Sequence, residues 1–218
     1  MNKIRMIVAA AALAAAAAPQ FAAAQDTGNY LVRVRATNLQ SSNDNNTQLK
    51  NTMQSLGFDH AEINNKWIPE LDLSYFFTPN IAAELILTYP QKQTLYAVDA
   101  AGTKTELGTF KHLPPTLLAQ YHFTGIQGVR PYVGAGVNYT NVTSVTMDKV
   151  PALGLNLSRN SFGLAAQVGA DFPIGGGWLI NVDAKYVRIG VDVTSNGAKV
   201  GEFGVNPWLL SVGVGKRF

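Results

Sequence analysis

Arg130-Pro131-Tyr132-Val133-Gly134-Ala135-Gly136-Val137-Asn138-Tyr139-Thr140 alternates cleanly along its length. Val133, Ala135, Val137 and Tyr139 share one face. Tyr132, Gly134, Gly136 and Asn138 share the other. A period of two is the side-chain period of a β-strand. One face is continuously apolar, and the other mixes small and polar groups. Glycine inside an alternating run suits a wall whose inner side is crowded.

Seven more segments of this kind flank it. Tyr30 to Thr37, Trp67 to Thr78, Ile81 to Tyr89 and Leu113 to Phe123 come before. Ser161 to Phe172, Trp178 to about Val191 and Asn206 to Phe218 come after. Eight is an even number, as closure of an antiparallel bacterial barrel requires. The fold class expected is all-β: an eight-stranded antiparallel transmembrane β-barrel with long extracellular loops. A soluble barrel or sandwich is the alternative, with the apolar face inside instead of against lipid.

Composition points the same way. Charged residues are 14% of the chain, against about 25% in ordinary proteins. A soluble surface needs more charge than that, and a wall facing lipid does not. Twenty glycines are present and no cysteine, which excludes disulfides, thiolate metal sites and a Cys nucleophile. The formal net charge is +3. No basic patch with interleaved aromatics appears, so nucleic acid is not an expected partner.

Residues 1–24 read as a cleavable signal peptide. Lys3 and Arg5 supply the charge, Met6 to Ala18 an apolar core too short to span, and Ala22-Ala23-Ala24 a small-residue cleavage site. Residues 25–218 are then the outer-membrane β-barrel. Aromatic residues gather at strand ends, as expected of two interfacial girdles. Connections 78–80, 124–129 and 173–177 are short, and 38–66, 90–112, 141–160 and 192–205 are long. Short turns belong in the periplasm and long loops outside.

Three groups of side chains are candidates for function. Arg33, Arg35, Glu70, Asp72, Glu84, Asp171, Asp183, Lys185 and Arg217 fall on the inward face. Buried charge is costly unless paired, so a lumen charge network is expected. Ile68, Ile86, Leu118 and Tyr132 are expected to line an apolar extracellular half of the lumen. Met53, Leu56, Phe58, Leu107, Leu153, Leu155 and Leu157 add apolar groups from the loops. Pro69, Pro114, Pro115 and Pro207 remove ladder donors near strand ends. They read either as rim terminators or as a weakened lateral seam.

Catalysis and cofactors find no support. His60, His112 and His122 lack metal-ligand spacing. No His-x-Ser pair suggests a lipid-modifying hydrolase, and Gly175-Gly176-Gly177 lacks the Lys-Ser/Thr of a phosphate loop.

Longer stretches carry a resemblance. His112-Leu113-Pro114-Pro115-Thr116 through Tyr121, the Arg130 to Thr140 run, Ala166-Gln167-Val168-Gly169-Ala170-Asp171, Trp178-Leu179-Ile180-Asn181-Val182 and the Asn206 to Phe218 end resemble the OmpW family of outer-membrane proteins. The first long loop, 38–66, matches poorly. The family pattern carries an aromatic two residues before the final Phe, where this chain has Lys216. The resemblance implies a non-enzymatic eight-stranded barrel with a narrow, hydrophobic channel. Its partners would be outer-membrane lipids, a small hydrophobic solute and, through Phe218, the outer-membrane assembly machinery. Surface reception of phage or bacteriocins, or a structural role without transport, is the alternative function.

Overall fold

The computed structural model describes residues 28–218. The expected signal peptide and its cleavage site lie outside the described residues.

Eight strands form a closed wall. In chain order they are β1 (Tyr30–Gln40), β4 (Lys66–Phe76), β5 (Ile81–Thr88), β8 (Thr116–His122), β9 (Arg130–Thr146), β11 (Asn160–Gly175), β12 (Trp178–Val187) and β15 (Trp208–Arg217). Each pairs antiparallel with its neighbour, and β15 returns to β1 through Leu31–Arg217 to Gln40–Trp208. Closure matters in lipid, because it leaves no sheet edge with unpaired amides.

The faces are those of a membrane barrel. Phe162 is 72% exposed, Leu164 66% and Val168 56%, all pointing away from the lumen. Val133, Ala135, Val137 and Ala166 point outward with them. A soluble core would bury this set, and an apolar band this large on a free surface marks contact with lipid. Tyr30, Phe77, Phe123, Trp178 and Phe218 ring the periplasmic end, and Trp67, Tyr89, Tyr139 and Trp208 the other; all are exposed.

The inward face alternates large with small. A Cβ on Gly169 would lie 2.4 Å from the Tyr132 ring. The bare glycine leaves room for that ring over the neighbouring strand β11.

The long connections are structured. Helix α1 (Thr47–Ser55) is capped by Asn46, whose side chain accepts from the Leu49 amide, and it buries Leu49 and Met53. Strands β3 (His60–Ile63), β6 (Gln91–Val98) and β7 (Lys104–Leu113) extend the wall upward, and β7 pairs with the long upper end of β9. Strands β2 (Asp44–Asn45), β10 (Leu155–Leu157), β13 (Gly190–Ser195) and β14 (Ala198–Gly204) form a separate four-stranded sheet. The expected seventh strand, running to about Val191, therefore ends at Val187, where the chain leaves the barrel for this sheet.

Candidate functional site

The lumen divides into layers. At the periplasmic end, His122 lies between the rings of Phe76 and Tyr132, with centroids 4.8 Å and 4.9 Å away. The Arg217 guanidinium sits 3.9 Å from the Phe76 ring centroid. Leu31, Ala82 and Leu179 fill what remains beside Phe76.

Above this plug lies the charge layer. Arg33 donates to Asp171 at 2.6 Å and Glu84 at 2.9 Å, and to the Ser74 hydroxyl. Arg35 Nη1 is 3.2 Å from Glu70 and 3.0 Å from Asp72, and Nη2 reaches Glu84 at 3.5 Å. Lys185 joins Glu70 at 2.6 Å to Asp183 at 2.8 Å. Glu70, Asp72 and Glu84, on the two barrel strands that follow β1, thus all reach its two arginines. Asp171, Asp183 and Lys185 reach them from across the lumen. Arg217 alone lies apart, in the plug.

Neutral groups complete the layer, and sequence reading passed over them. Gln120 and Gln167 both donate to Glu84 Oε2 at 2.8 Å, and Asn181 accepts from Arg35 Nε at 2.8 Å. Each lies on the inward face of its strand, and that parity was the only available signal. Three cations face five carboxylates. Asp72 is fully buried, and neither of its oxygens has a hydrogen bond. So dense a layer fills the barrel, as expected of eight strands.

Tyr132 needs a correction. It was expected in the apolar extracellular half, but β9 runs upward from Arg130, so Tyr132 stands near the periplasmic end. Its hydroxyl donates to Asp183 at 2.8 Å and accepts from Arg35 at 3.1 Å and Asn181 at 2.9 Å. It is part of the charge layer.

The layers above are apolar. Ile68 and Ile86 line a small inner chamber with Leu39, Val187, Ile189 and Leu209. Its free volume is about 20 Å³, room for one water. Leu118 is buried in the same core. Higher still, a cavity of about 120 Å³ opens between α1 and the upper strands. Met53, Leu56, Phe58, Leu107, Leu153 and Leu155 all line it. Leu157 is buried in the core nearby.

The four prolines do not behave alike. Pro69 faces lipid, and the β1–β4 ladder runs through it without a shift. Pro207 points inward, and its carbonyl accepts from the Val187 amide, which prolongs the β12–β15 pairing. Pro114 and Pro115 do interrupt the wall, on one side only. Towards β9, Asn138 Nδ2 donates to both proline carbonyls, and the Tyr139 amide donates to Pro115. Towards β5, the ladder stops at Ile86–Thr116 and resumes at Gln91–His112 in the β6–β7 pair. Residues 87–90 therefore face 113–115 without ladder pairing. Thr88 and Pro114, on opposite sides of this gap, both line the inner chamber.

A second parting of the wall is chemically different. Above Ala165–Val187, β11 loses its partner as β13 turns away. The opening there, about 460 Å³, is lined by Ser158, Asn160, Ser161, Arg188, Asp192 and Glu202, with Phe162 and Leu164 at its lipid side.

Residues 26–218 match the OmpW family model. The chain belongs to the OmpW family. Outer membrane protein W of Vibrio cholerae is 32% identical over 213 residues, covering 94% of each chain. An outer-membrane protein of Sinorhizobium fredii, y4mB, is 40% identical over 69% of this chain and 66% of its own length. The crystal structure of OprG from Pseudomonas aeruginosa shares the fold, with a TM-score of 0.69 at 23% identity, covering 88% of this chain and 96% of that one. As an OmpW-family barrel, this protein resides in the cell outer membrane. The relatives are named as outer-membrane proteins, and nothing in those names indicates catalysis.

Proposed function

We propose that this protein passes small hydrophobic molecules into the outer membrane from outside, with sideways exit from the barrel. The solute enters the apolar cavity between the loops and descends to the inner chamber. It leaves between β5 and β8 at the Pro114–Pro115 interruption. The observation that carries this reading is the stacking of an apolar upper lumen on a sealed charge layer, with the wall ladder broken where the two meet. Straight passage would drag an apolar molecule through a layer of buried charges, losing its burial and gaining no hydrogen bond. Sideways passage exchanges apolar protein contacts for lipid chains. The polar opening beside β11 offers no such exchange.

The test is uptake of a hydrocarbon series by cells with and without the gene. Protein-dependent uptake is expected, and Leu107→Asp, which sets a charge in the upper cavity, should abolish most of it while the barrel still inserts. Equal uptake with and without the gene rejects transport. A receptor role instead predicts that deleting residues in 90–112 removes phage or bacteriocin sensitivity and leaves uptake unchanged.

A further inference from the structure

Three buried polar atoms near the inner chamber have no protein partner: Gln91 Oε1, Gln93 Oε1 and His112 Nδ1. All three residues are at most 1% exposed. Gln91 and His112 are directly paired across β6 and β7, and both line the chamber. Buried polar groups normally find partners, and each one left without is costly. Three at one place, beside a chamber, mark a polar station in an otherwise apolar passage.

The chemistry of the station can be read from its neighbours. The Gln91 amide is fixed, because its Nε2 donates to Thr88 Oγ1 at 3.0 Å and to the Tyr89 carbonyl at 2.8 Å. Gln91 Oε1 is therefore an acceptor in need of a donor. Gln93 Nε2 lies 3.4 Å from His112 Nε2, which places the ring proton on Nδ1. Nδ1 is then a donor in need of an acceptor. Reversing the Gln93 amide makes Nδ1 an acceptor and leaves the amide N–H without one, so an unmatched donor and acceptors persist either way. Burial first, and the nearby Lys66 second, lower the His112 pKa to about 4, so the imidazole is neutral at ordinary pH. A carboxylate would meet two amide oxygens here, and a cation would meet the field of Lys66. Glu70 and Lys185, on the chamber floor, already neutralise each other at 2.6 Å.

We propose that Gln91, Gln93 and His112 select solutes that carry one neutral hydroxyl on an apolar body, such as medium-chain alcohols. The hydroxyl donates to Gln91 Oε1 and accepts from the His112 N–H. The chamber at rest has room for one water, so Ile68, Ile86 and Leu209 part to take the apolar body between them. This inference rests on the hydrophobic-channel reading and names the solute class for the same passage.

The test compares uptake of 1-octanol and n-octane by cells carrying the protein, corrected for cells without the gene. The alcohol should enter on the order of five- to tenfold faster, the worth of one net hydrogen bond. In Gln91→Leu and His112→Leu the alcohol-to-alkane ratio should fall to about one, whatever the absolute rates. Gln93→Met, which keeps the imidazole but frees it to turn, gives the same test if those variants fail to insert. In detergent, 1-octanol and not n-octane should shift the His112 ring ¹⁵N resonances of the wild-type protein. Equal uptake of both solutes, unaltered in all three variants, leaves the channel standing and overturns the hydroxyl station. A ¹⁵N spectrum that ignores 1-octanol also overturns it, since the station then holds water only. Uptake of neither solute defeats the channel reading itself.

Discussion

The two halves of the lumen are both buried and both full, yet they are held by different forces. In the periplasmic half, Arg33, Arg35 and Lys185 are fixed by directional contacts to five carboxylates. Such a layer has one good arrangement, and removing any member strands its partners. In the extracellular half, Leu39, Ile68, Leu107 and Phe110 pack without direction, so a hydrocarbon can replace one neighbour with another at little cost. The contrast assigns a seal to one half and a passage to the other.

The contrast breaks most visibly at Arg35. Arg35→Met leaves Glu70, Asp72 and Asp183 with only Lys185 among them, and the barrel should lose roughly 3–5 kcal/mol. Urea unfolding in detergent measures it, and an unchanged midpoint would mean that the layer is not a coupled network. The double variant Glu70→Ala with Asp72→Ala takes the two nearest carboxylates from Arg35 and leaves Lys185 with Asp183 alone, and it should fall in the same range. A smaller effect is expected in the upper half. Leu107→Ala enlarges an existing cavity and should cost about 2 kcal/mol, the low end for such truncations, with uptake retained.

The most local effect is a pH dependence confined to β6 and β7, the strands that cap the barrel on its extracellular side. His112 in the folded state stays neutral down to about pH 4, against 6.5 when free. The unfolded cap therefore binds more protons between these values. Cap stability is complete above pH 6.5, declines as pH falls towards 4, and levels off below that. Lys66 adds to the penalty, while Gln91 and Gln93 do not titrate. Hydrogen exchange of the β6–β7 amides should report the loss while the barrel amides stay protected. His112→Gln should flatten the profile.

Much of this was legible in the sequence, for identifiable reasons. Strand parity alone put Arg33, Glu70 and Glu84 inside, because a period of two fixes the face of every residue once one is known. Apolar residues in otherwise polar loops marked Met53, Leu56, Leu107, Leu153 and Leu155, which meet in one cavity. Height along the barrel was harder to read. Tyr132 lies two residues from a periplasmic turn, and an inward aromatic residue by itself does not show at which end of its strand it stands. The prolines were alike by composition and differ by register, which depends on long-range pairing that no local pattern encodes. The extracellular sheet was hidden for the same reason: β13 and β14 continue the alternation of a barrel strand, and Asn206, at φ +35°, redirects the chain into β15.

The most direct measurement locks the gap beside Pro114. Thr88→Cys with Pro114→Cys, joined by a short bifunctional thiol reagent, ties β5 to β8 where the ladder is missing. Leu164→Cys with Arg188→Cys, joined across the polar opening, is the control; the Arg188 amide already donates to the Leu164 carbonyl there. The account predicts that hydrocarbon uptake collapses with the first cross-link, recovers when a cleavable reagent is reduced, and is unaffected by the second. Full uptake through a barrel locked at Thr88 and Pro114 would contradict it, and would send the solute by another path.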